Sequence, residues 1–482
     1  MTSVSVPGPP ARRPTRSRIV VLGGLVAVIA GVGAASAVWP PLPAVPAPVA
    51  TATEAPPASA ISSSWFCAGG TVGPGSGARP VIFLANPTDR AVDGAVTTVV
   101  AGATSAGARR DLVVPAGGVV AVDPGAGTSG SGTVGTTVVL AGGGVVADQV
   151  VSGPAGWSMT PCASSTSSTW YLAGGATTGG NDLSLTLFNP TASPAVVGLS
   201  FDTPGGLVVP QPYQGIVVPP RGLAVEHVGD YVQNQPDITT IVDASSGQVV
   251  ADALQQRSST AGTGLSLLLG APATSTGWSM AATTDVHGGT VAVHVANPGT
   301  APVTATITAG LAEASITPVV VTVPPQSAVV FRPTSTPRFP PATPYSLTVA
   351  GSGPLVVTRT VGAPGGAPAW GDLRATPRAA ARWVVPAPGV PGAPVVANAA
   401  RDELAIADTG TSPATVRVTT LAGAVVATVH VPAGSLAVLR SRQVTGLSWL
   451  VVAADVPVVV GADAAPSGAP GVVATAGIAL GG

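Results

Sequence analysis

The side chains best suited to metal binding or proton transfer are few, because this sequence of 482 residues has four histidines. Two of them, His287 and His294, follow Asp285 closely and precede an Asn-Pro step. Histidine and carboxylate are usual zinc ligands, but strand positions an odd number of residues apart face opposite sides of a sheet. The sequence therefore predicts solvated or hydrogen-bonded histidines here rather than a metal site.

Two further patterns match known functional motifs, but neither has the surrounding structure that its function needs. Gly125 to Gly130 match the GxGxxG spacing of dinucleotide-binding loops, which need a helix directly afterwards, whereas the residues that follow predict a strand. Asp148 and Asp252 end matching VVAD stretches, and paired carboxylates could suggest glycoside hydrolysis. They fall in different repeats, with Arg359 in the matching place of a third, so solvated strand-end residues are expected. We predict no catalytic residue, no cofactor and no metal, and therefore no enzyme.

Aromatic side chains are the remaining candidates for ligand binding, because exposed tryptophans can stack on sugar rings. The weak candidates are Trp157, Trp170, Tyr171 and Trp278. Large rings more often fill a core or a junction between modules, so packing is the preferred prediction and stacking the alternative.

Cys67 and Cys162 are the only cysteines. Outside the membrane an even pair normally forms a disulfide, which is the prediction for these two residues. Free thiols or a bond to a partner remain the alternatives.

An internal repeat with a period of roughly 105 residues organises the chain. Asn-Pro steps at Asn86, Asn189 and Asn297 each follow an apolar run, and a tryptophan precedes each at a similar distance. Proline ends a strand and asparagine closes a turn, so these steps are predicted to be structural. A degenerate fourth copy starts near Trp383. The predicted modules are 62–163, 164–272, 273–377 and 378–482.

Each module is predicted to be all-β. Within the first we predict seven strands, near 65–68, 80–85, 95–101, 111–114, 119–122, 136–141 and 145–150. About seven short strands per 100 residues favour tandem immunoglobulin-like β-sandwiches, whereas propeller blades would repeat every 40 to 50 residues or so.

The N-terminus carries the strongest single signal. Residues 1–18 are rich in arginine and are expected to stay in the cytoplasm. The uncharged apolar run 19–38 is long enough to span a bilayer, so a transmembrane signal anchor is predicted. Cleavage after Ala35-Ser36-Ala37, giving a secreted chain, is the alternative. A Pro/Ala-rich linker follows at 39–61. In either case the bulk of the chain is expected outside the cytoplasm.

The SWFCAGG stretch at 64–70 and the Asn-Pro-Thr steps resemble motifs of an uncharacterised family of actinobacterial exported proteins. The resemblance implies one N-terminal membrane segment, a Pro-rich spacer and β-rich modules, and it brings no catalytic residues. A formal charge of −1 without a basic cluster beyond the N-terminus argues against nucleic acid as a partner. We expect a non-catalytic, membrane-anchored scaffold or accessory protein of the cell envelope that binds another envelope protein or polymer. The alternative is an array of cell-wall glycan-binding modules.

Overall fold

The computed structural model describes residues 53–103, 107, 109–128, 130–259, 262–282, 290–312, 315–340, 343–362, 370–386, 403–440, 449–464 and 473–481. They belong to one compact unit that spans 49–482. Their regular structure is β apart from three short 3₁₀ turns, so the predicted all-β class is confirmed. No helix among these residues is long and apolar enough to cross a membrane, and the predicted anchor at 19–38 lies outside them.

Module 1 contains two four-stranded sheets. It is preceded by β1 (Glu54–Ala55), which falls within the stretch interpreted above as linker. The first sheet has the order β2 (Ser63–Val72), β7 (Gly132–Leu140), β4 (Val92–Val100) and β5 (Arg110–Val114). The second has the order β6 (Val119–Val122), β3 (Arg79–Ala85), β8 (Val146–Gly153) and β9 (Gly156–Pro161).

Module 2 repeats this plan. Its first sheet has the order β10 (Thr169–Gly175), β16 (Ile238–Ser246) and β12 (Ala195–Thr203), with β13 (Gly206–Val208) and β14 (Ile216–Val218) both paired to β12. Its second sheet has the order β15 (Gly222–His227), β11 (Asn181–Asn189), β17 (Val250–Ser259) and β18 (Gly262–Leu269).

Module 3 shares one long strand between its two halves. The first half contains β19 (Ser275–Ala282), β21 (Val303–Gly310) and β22 (Ser315–Val323), and the second contains β20 (Thr290–Asn297), β23 (Ser327–Phe331) and β25 (Trp370–Arg374). The 18-residue strand β24 (Tyr345–Gly362) pairs with both halves in turn.

Module 4 is built in the same way around a long strand, β31 (Trp449–Ala464). One half contains β26 (Ala380–Pro386), β28 (Ala414–Thr420), β29 (Val425–Val431) and β33 (Ile478–Leu480), and the other contains β27 (Glu403–Ala407), β30 (Leu436–Arg440) and β32 (Val473–Ala476). Glu54 and Ala55 of β1 join it as an extra strand, parallel to β33.

The seven strands predicted for module 1 are all present. The sequence prediction missed only β9, since no strand was predicted after 145–150 within module 1. That omission matters, because β9 and its counterparts bring the modules together.

A buried tryptophan fixes the first strand of each module to a strand that comes much later in the chain. These four side chains are at most 2% exposed. Each indole Nε1 donates a hydrogen bond to a backbone carbonyl: Trp65 to Val145 (3.1 Å), Trp170 to Val249 (2.8 Å), Trp278 to Leu355 (2.9 Å) and Trp383 to Val458 (2.9 Å). The repeated tryptophan is therefore a core residue with its polar atom satisfied.

The Asn-Pro steps are turns, as predicted. Asn189 donates through Nδ2 to the carbonyls of Ser193 (2.7 Å) and Val218 (3.2 Å), and its Oδ1 accepts from the backbone N–H of Thr191 at 3.0 Å. Asn86 makes the same three kinds of bond in module 1, and Asn297 makes them in module 3. The asparagine is buried and bonded on both sides of its amide, which explains why this residue type recurs.

The four modules close into a ring. The strands β9, β18, β25 and β32 come from modules 1 to 4 in turn, and each contacts its counterparts in the two neighbouring modules. Backbone N–H groups of Leu267 and Asp372 donate to the hydroxyls of Ser158 and Ser266, both at 2.9 Å. The closure between modules 4 and 1 includes β1 on β33, where the Gly481 N–H donates to the carbonyl of Ala55 at 2.9 Å.

Candidate functional site at the centre of the ring

A cavity of about 590 Å³ lies where the four modules meet. Its wall includes Met159 to Pro161 at the end of β9 and Leu269 at the end of β18. It also includes Asp372 to Arg374 at the end of β25 and the segment that leads into β26. Thr53 and Glu54, at the start of the described chain, also line it, as do residues around β33. A concave site of this volume is in the range of ordinary small-molecule pockets.

The interior of the cavity is mainly apolar, and its side chains are small. Met159, Leu269, Leu373 and Leu480 contribute the larger groups, and alanines of the 375–381 segment and of 476–479 contribute the rest. Small side chains at these positions leave open the space between the converging strands.

Arg374 is the most deeply placed cation of the cavity wall. Its guanidinium donates to the carbonyl of Gly270 and, at 3.1 Å, to Oγ1 of Thr53. Burial lowers the pKa of Arg374 to about 10, and the nearby charge of Asp252 acts in the opposite direction. This arginine is therefore committed to joining module 3 to module 2 and to the N-terminal segment.

Two other arginines at the cavity, Arg378 and Arg382, are exposed. Among the described residues neither guanidinium has an acidic partner. The acidic groups of the wall are already engaged: Asp372 accepts from Thr360 at 2.6 Å and lies 3.9 Å from Arg257, and Glu54 has an interaction of its own. The wall thus has an apolar interior and two uncompensated positive charges.

The burial of Asp148 and Asp252 corrects one sequence prediction. Asp148 and Asp252 were expected to be solvated, but they are 0% and 1% exposed. Oδ2 of Asp252 accepts from Nε2 of Gln149 across the seam at 2.6 Å. The expectation failed because both aspartates lie within strands, β8 and β17, that neighbouring modules cover.

Asp148 itself has no hydrogen-bond partner within the described part of the chain. It lies on β8 between Val146 and Val150, which belong to an apolar cluster that also includes Val384 and Trp449 of module 4. Desolvation raises the pKa of Asp148 from 3.8 to about 8, so the carboxyl is largely protonated at neutral pH.

Arg359 was matched to the two aspartates by sequence, and the strand register shows a different correspondence. Counting from the Asn-Pro turns along the paired strands, Thr358 occupies the place of Asp252, and Arg359 occupies that of Gln149. Arg359 accordingly does what Gln149 does, and reaches into the next module. Its Nη2 donates to Oδ1 of Asp463 at 2.6 Å, with the arginine side chain fully buried.

His294 is hydrogen-bonded, as expected, while His287 and Asp285 lie outside the described residues. Nδ1 of His294 is 2.8 Å from Oδ1 of Asp237 in module 2, and Nε2 is 3.1 Å from Oγ1 of Thr360. The order of acid, imidazole and hydroxyl is that of a hydrolytic triad. Here the hydroxyl already donates to Asp372 and all these side chains are buried, so the chain of bonds joins modules 2 and 3.

The three tryptophans considered for stacking do not offer ring faces to a ligand, whereas Tyr171 lines a separate cavity of about 480 Å³. Trp157, Trp170 and Trp278 are at most 5% exposed, which corrects their tentative role as a stacking surface. Tyr171 is half-buried and forms an isolated bridge with Ala271. Burial and the charge of Asp243 raise the pKa of Tyr171. The three tryptophans therefore pack inside the protein, as the preferred prediction stated.

Cys67 and Cys162 form the predicted disulfide, with Cα atoms 4.6 Å apart. The bond joins β2 to the segment after β9, beside the bridge between Phe66 and Ala163. The GxGxxG stretch is followed by strand β7, which excludes the strand-loop-helix arrangement that a dinucleotide needs.

Sequence reasoning missed the arginines of the cavity. The signal was available in TPRAAARW at 376–383, where two arginines stand among alanines directly before a module-opening tryptophan. Nothing in that stretch indicates that residues from all four modules surround it, because only the ring closure brings them together. Within the described residues no group of three or more His, Cys, Asp or Glu side chains could hold a metal ion.

Comparison with known proteins gives a match to one protein family over part of the chain. Residues 152–332 match a family of unknown function (DUF5719), which agrees with the expectation of an uncharacterised family. No curated protein matches the chain. A crystal structure of a tetra-tandem repeat in the extending region of a large adhesion protein aligns at 14% identity over 81% of this chain and 91% of that chain, with a TM-score of 0.11. A likeness at this TM-score is too weak to assign a fold or a function.

Proposed function

We propose that the protein is a non-catalytic scaffold or accessory protein of the cell envelope, anchored by residues 19–38, that binds another envelope protein or polymer. The observation that carries the proposal is how the ring uses its buried polar side chains. Gln149 with Asp252, His294 with Asp237, and Arg359 with Asp463 each join one module to the next. These groups bond one module to the next rather than facing a substrate.

The disulfide supports a place outside the cytoplasm. Disulfides persist in oxidising compartments and are rare where glutathione and thioredoxin keep thiols reduced. The bond between Cys67 and Cys162 therefore favours export, in line with the predicted anchor and the resemblance to actinobacterial exported proteins.

The modules are proposed to be immunoglobulin-like sandwiches with an exchange of two strands. In the immunoglobulin plan the second strand pairs with the fifth and the third with the sixth. Counting from β2 as the first strand, module 1 has the third-to-sixth pair as β4 with β7 and the second-to-fifth pair as β3 with β6. The first strand, β2, lies beside β7, and β8 lies beside β3, so the terminal strands have changed sheets.

Crosslinking in intact cells tests the proposed role. The full-length protein, tagged at the C-terminus, is crosslinked from outside the cell and captured, and attached proteins and sugars are identified. We expect a defined set of envelope proteins or one wall polymer. Recovery of cytoplasmic proteins alone, or protection of the chain from protease added to intact spheroplasts, would contradict the proposal.

A further inference from the structure

We infer that the cavity at the centre of the ring binds a single-chain amphiphilic carboxylate, such as a fatty acid, with its head group between Arg378 and Arg382. This inference goes beyond the scaffold role, which names neither the cavity nor a small ligand. It rests on three properties of the cavity: its interior, its charge and its opening.

The interior suits an apolar chain. Leu269, Leu373 and Leu480, together with Met159 and the surrounding alanines, present carbon atoms from all four modules and the C-terminal strand. Covering such a surface with hydrocarbon is favourable, because it removes apolar area from water. A volume of about 590 Å³ is that of a pocket for one small ligand, so a single chain is a better match than a lipid with two.

The charge selects an anionic head group. The guanidinium groups of Arg378 and Arg382 are exposed at the cavity, and neither has an acidic partner among the residues described. Arg374 is already committed to Gly270 and Thr53, so it supports the wall and is not needed for the ligand. Planar, forked guanidinium groups bind carboxylates in bidentate geometry, which makes a carboxylate the expected head.

The cavity opens to solvent along Arg378, Ala381 and Arg382, which are exposed residues of its wall. The binding chemistry itself does not depend on the anchor.

Photolabelling of the full-length protein tests the inference. The probe is a fatty acid that carries a diazirine and an alkyne, and its methyl ester serves as the uncharged twin. We expect the acid to label peptides from 372–383 or 476–481 and excess palmitate to prevent labelling. The ester should label at least about tenfold less, since it cannot form charged hydrogen bonds with the two arginines. Equal labelling by acid and ester, or labelling outside the cavity alone, would overturn the inference.

Variants make the test specific. Arg378→Gln/Arg382→Gln is expected to reduce labelling at least about tenfold, and Ala381→Trp, which fills the exposed mouth, is expected to abolish it. Arg338→Gln/Arg417→Gln removes two exposed arginines elsewhere and should leave labelling unchanged. An equal loss in this control pair, or labelling that persists in both cavity variants, would refute the inference.

The labelling experiment can use protein recovered from membranes or from the medium. Failure of the predicted anchor is therefore distinguished from failure of the cavity site. Binding to phosphatidylglycerol vesicles without labelling by the acid would likewise count against it.

Discussion

Arg359 of module 3 and Asp463 of module 4 form an ion pair across the seam between their modules, with Nη2 and Oδ1 2.6 Å apart and the arginine side chain fully buried. A buried ion pair is stable only when both charges are present, because either charge alone would be desolvated without compensation. The seam therefore depends on a specific match of side chains in addition to its apolar contacts.

Removing one partner should weaken the ring more than removing both. Arg359→Met or Asp463→Leu alone is expected to lower the free energy of unfolding by about 3–5 kcal/mol, because the remaining charge stays buried without its partner. The double variant should recover most of that loss, since two apolar side chains can pack together. Urea unfolding of the four proteins gives the coupling energy. If the losses of the single variants simply added up in the double variant, the pair would not be coupled.

The other seams use different chemistry at related positions. Gln149 reaches Asp252 between modules 1 and 2, and His294 reaches Asp237 between modules 2 and 3. Asp148 lies in an apolar cluster that extends from module 1 into module 4, and no partner is found for it among the described residues. The seam between modules 4 and 1 thus contains the carboxyl group of Asp148, unpaired within the described chain, whereas the other seams contain paired polar groups.

Asp148 should make the fold more stable at mildly acidic pH than at neutral pH. Its pKa is raised from 3.8 to about 8 in the folded protein, so between those values the folded state holds a proton that the unfolded state has lost. The contribution of Asp148 is therefore fully present below about pH 4 and is lost progressively as the pH rises to about 8, by up to about 1.4 kcal/mol per unit. Burial also raises the pKa of Asp202, to about 6, and that of Asp252, which adds in the same direction.

Asp148→Asn measures that contribution, because asparagine has nearly the same shape and cannot ionise. We expect unfolding in urea at about pH 5 and pH 7.5 to show a smaller difference in stability for the variant than for the parent. The matched control is Asp89→Asn, which changes an exposed carboxylate in the same module. An unchanged pH dependence in Asp148→Asn would show that this carboxyl is charged in the folded protein.

Local features of single modules could be read from the sequence, whereas features created by the ring could not. The tryptophans, the Asn-Pro turns and the strands of module 1 depend on residue types within one repeat, and they were predicted correctly. The burial of Asp148 and the reach of Arg359 depend on which module lies against which, and no local pattern encodes that. The same holds for Arg378 and Arg382, whose cavity exists only after four modules converge.

Loss of the disulfide should destabilise module 1 without preventing the repeat from folding. Cys67 and Cys162 are 95 residues apart, and closing a loop of that size contributes up to about 4–5 kcal/mol in the chain-entropy model. Leu172 occupies the place of Cys67 in module 2 and packs against Gly270, so the fold does not require the bond. We expect Cys67→Ala/Cys162→Ala to retain its far-ultraviolet spectrum and to unfold at lower urea concentration. Addition of reductant should shift the parent and leave the variant unaffected, and a shift in the variant would indicate another cause.

Gly174 should tolerate no side chain, for two reasons that act together. Its φ of 93° lies in the left-handed region, and a Cβ there would be 3.1 Å from Cδ2 of His294 in the next module. Gly174→Ala is expected to lower the free energy of unfolding by about 1–3 kcal/mol through backbone strain and displacement of the imidazole. Gly206→Ala is the matched control, since Gly206 also has a positive φ, 104°, and a Cβ there meets no atom within 4 Å. Urea unfolding of both variants is the measurement, and equal effects at the two glycines would show that close contact between modules 2 and 3 does not explain the glycine.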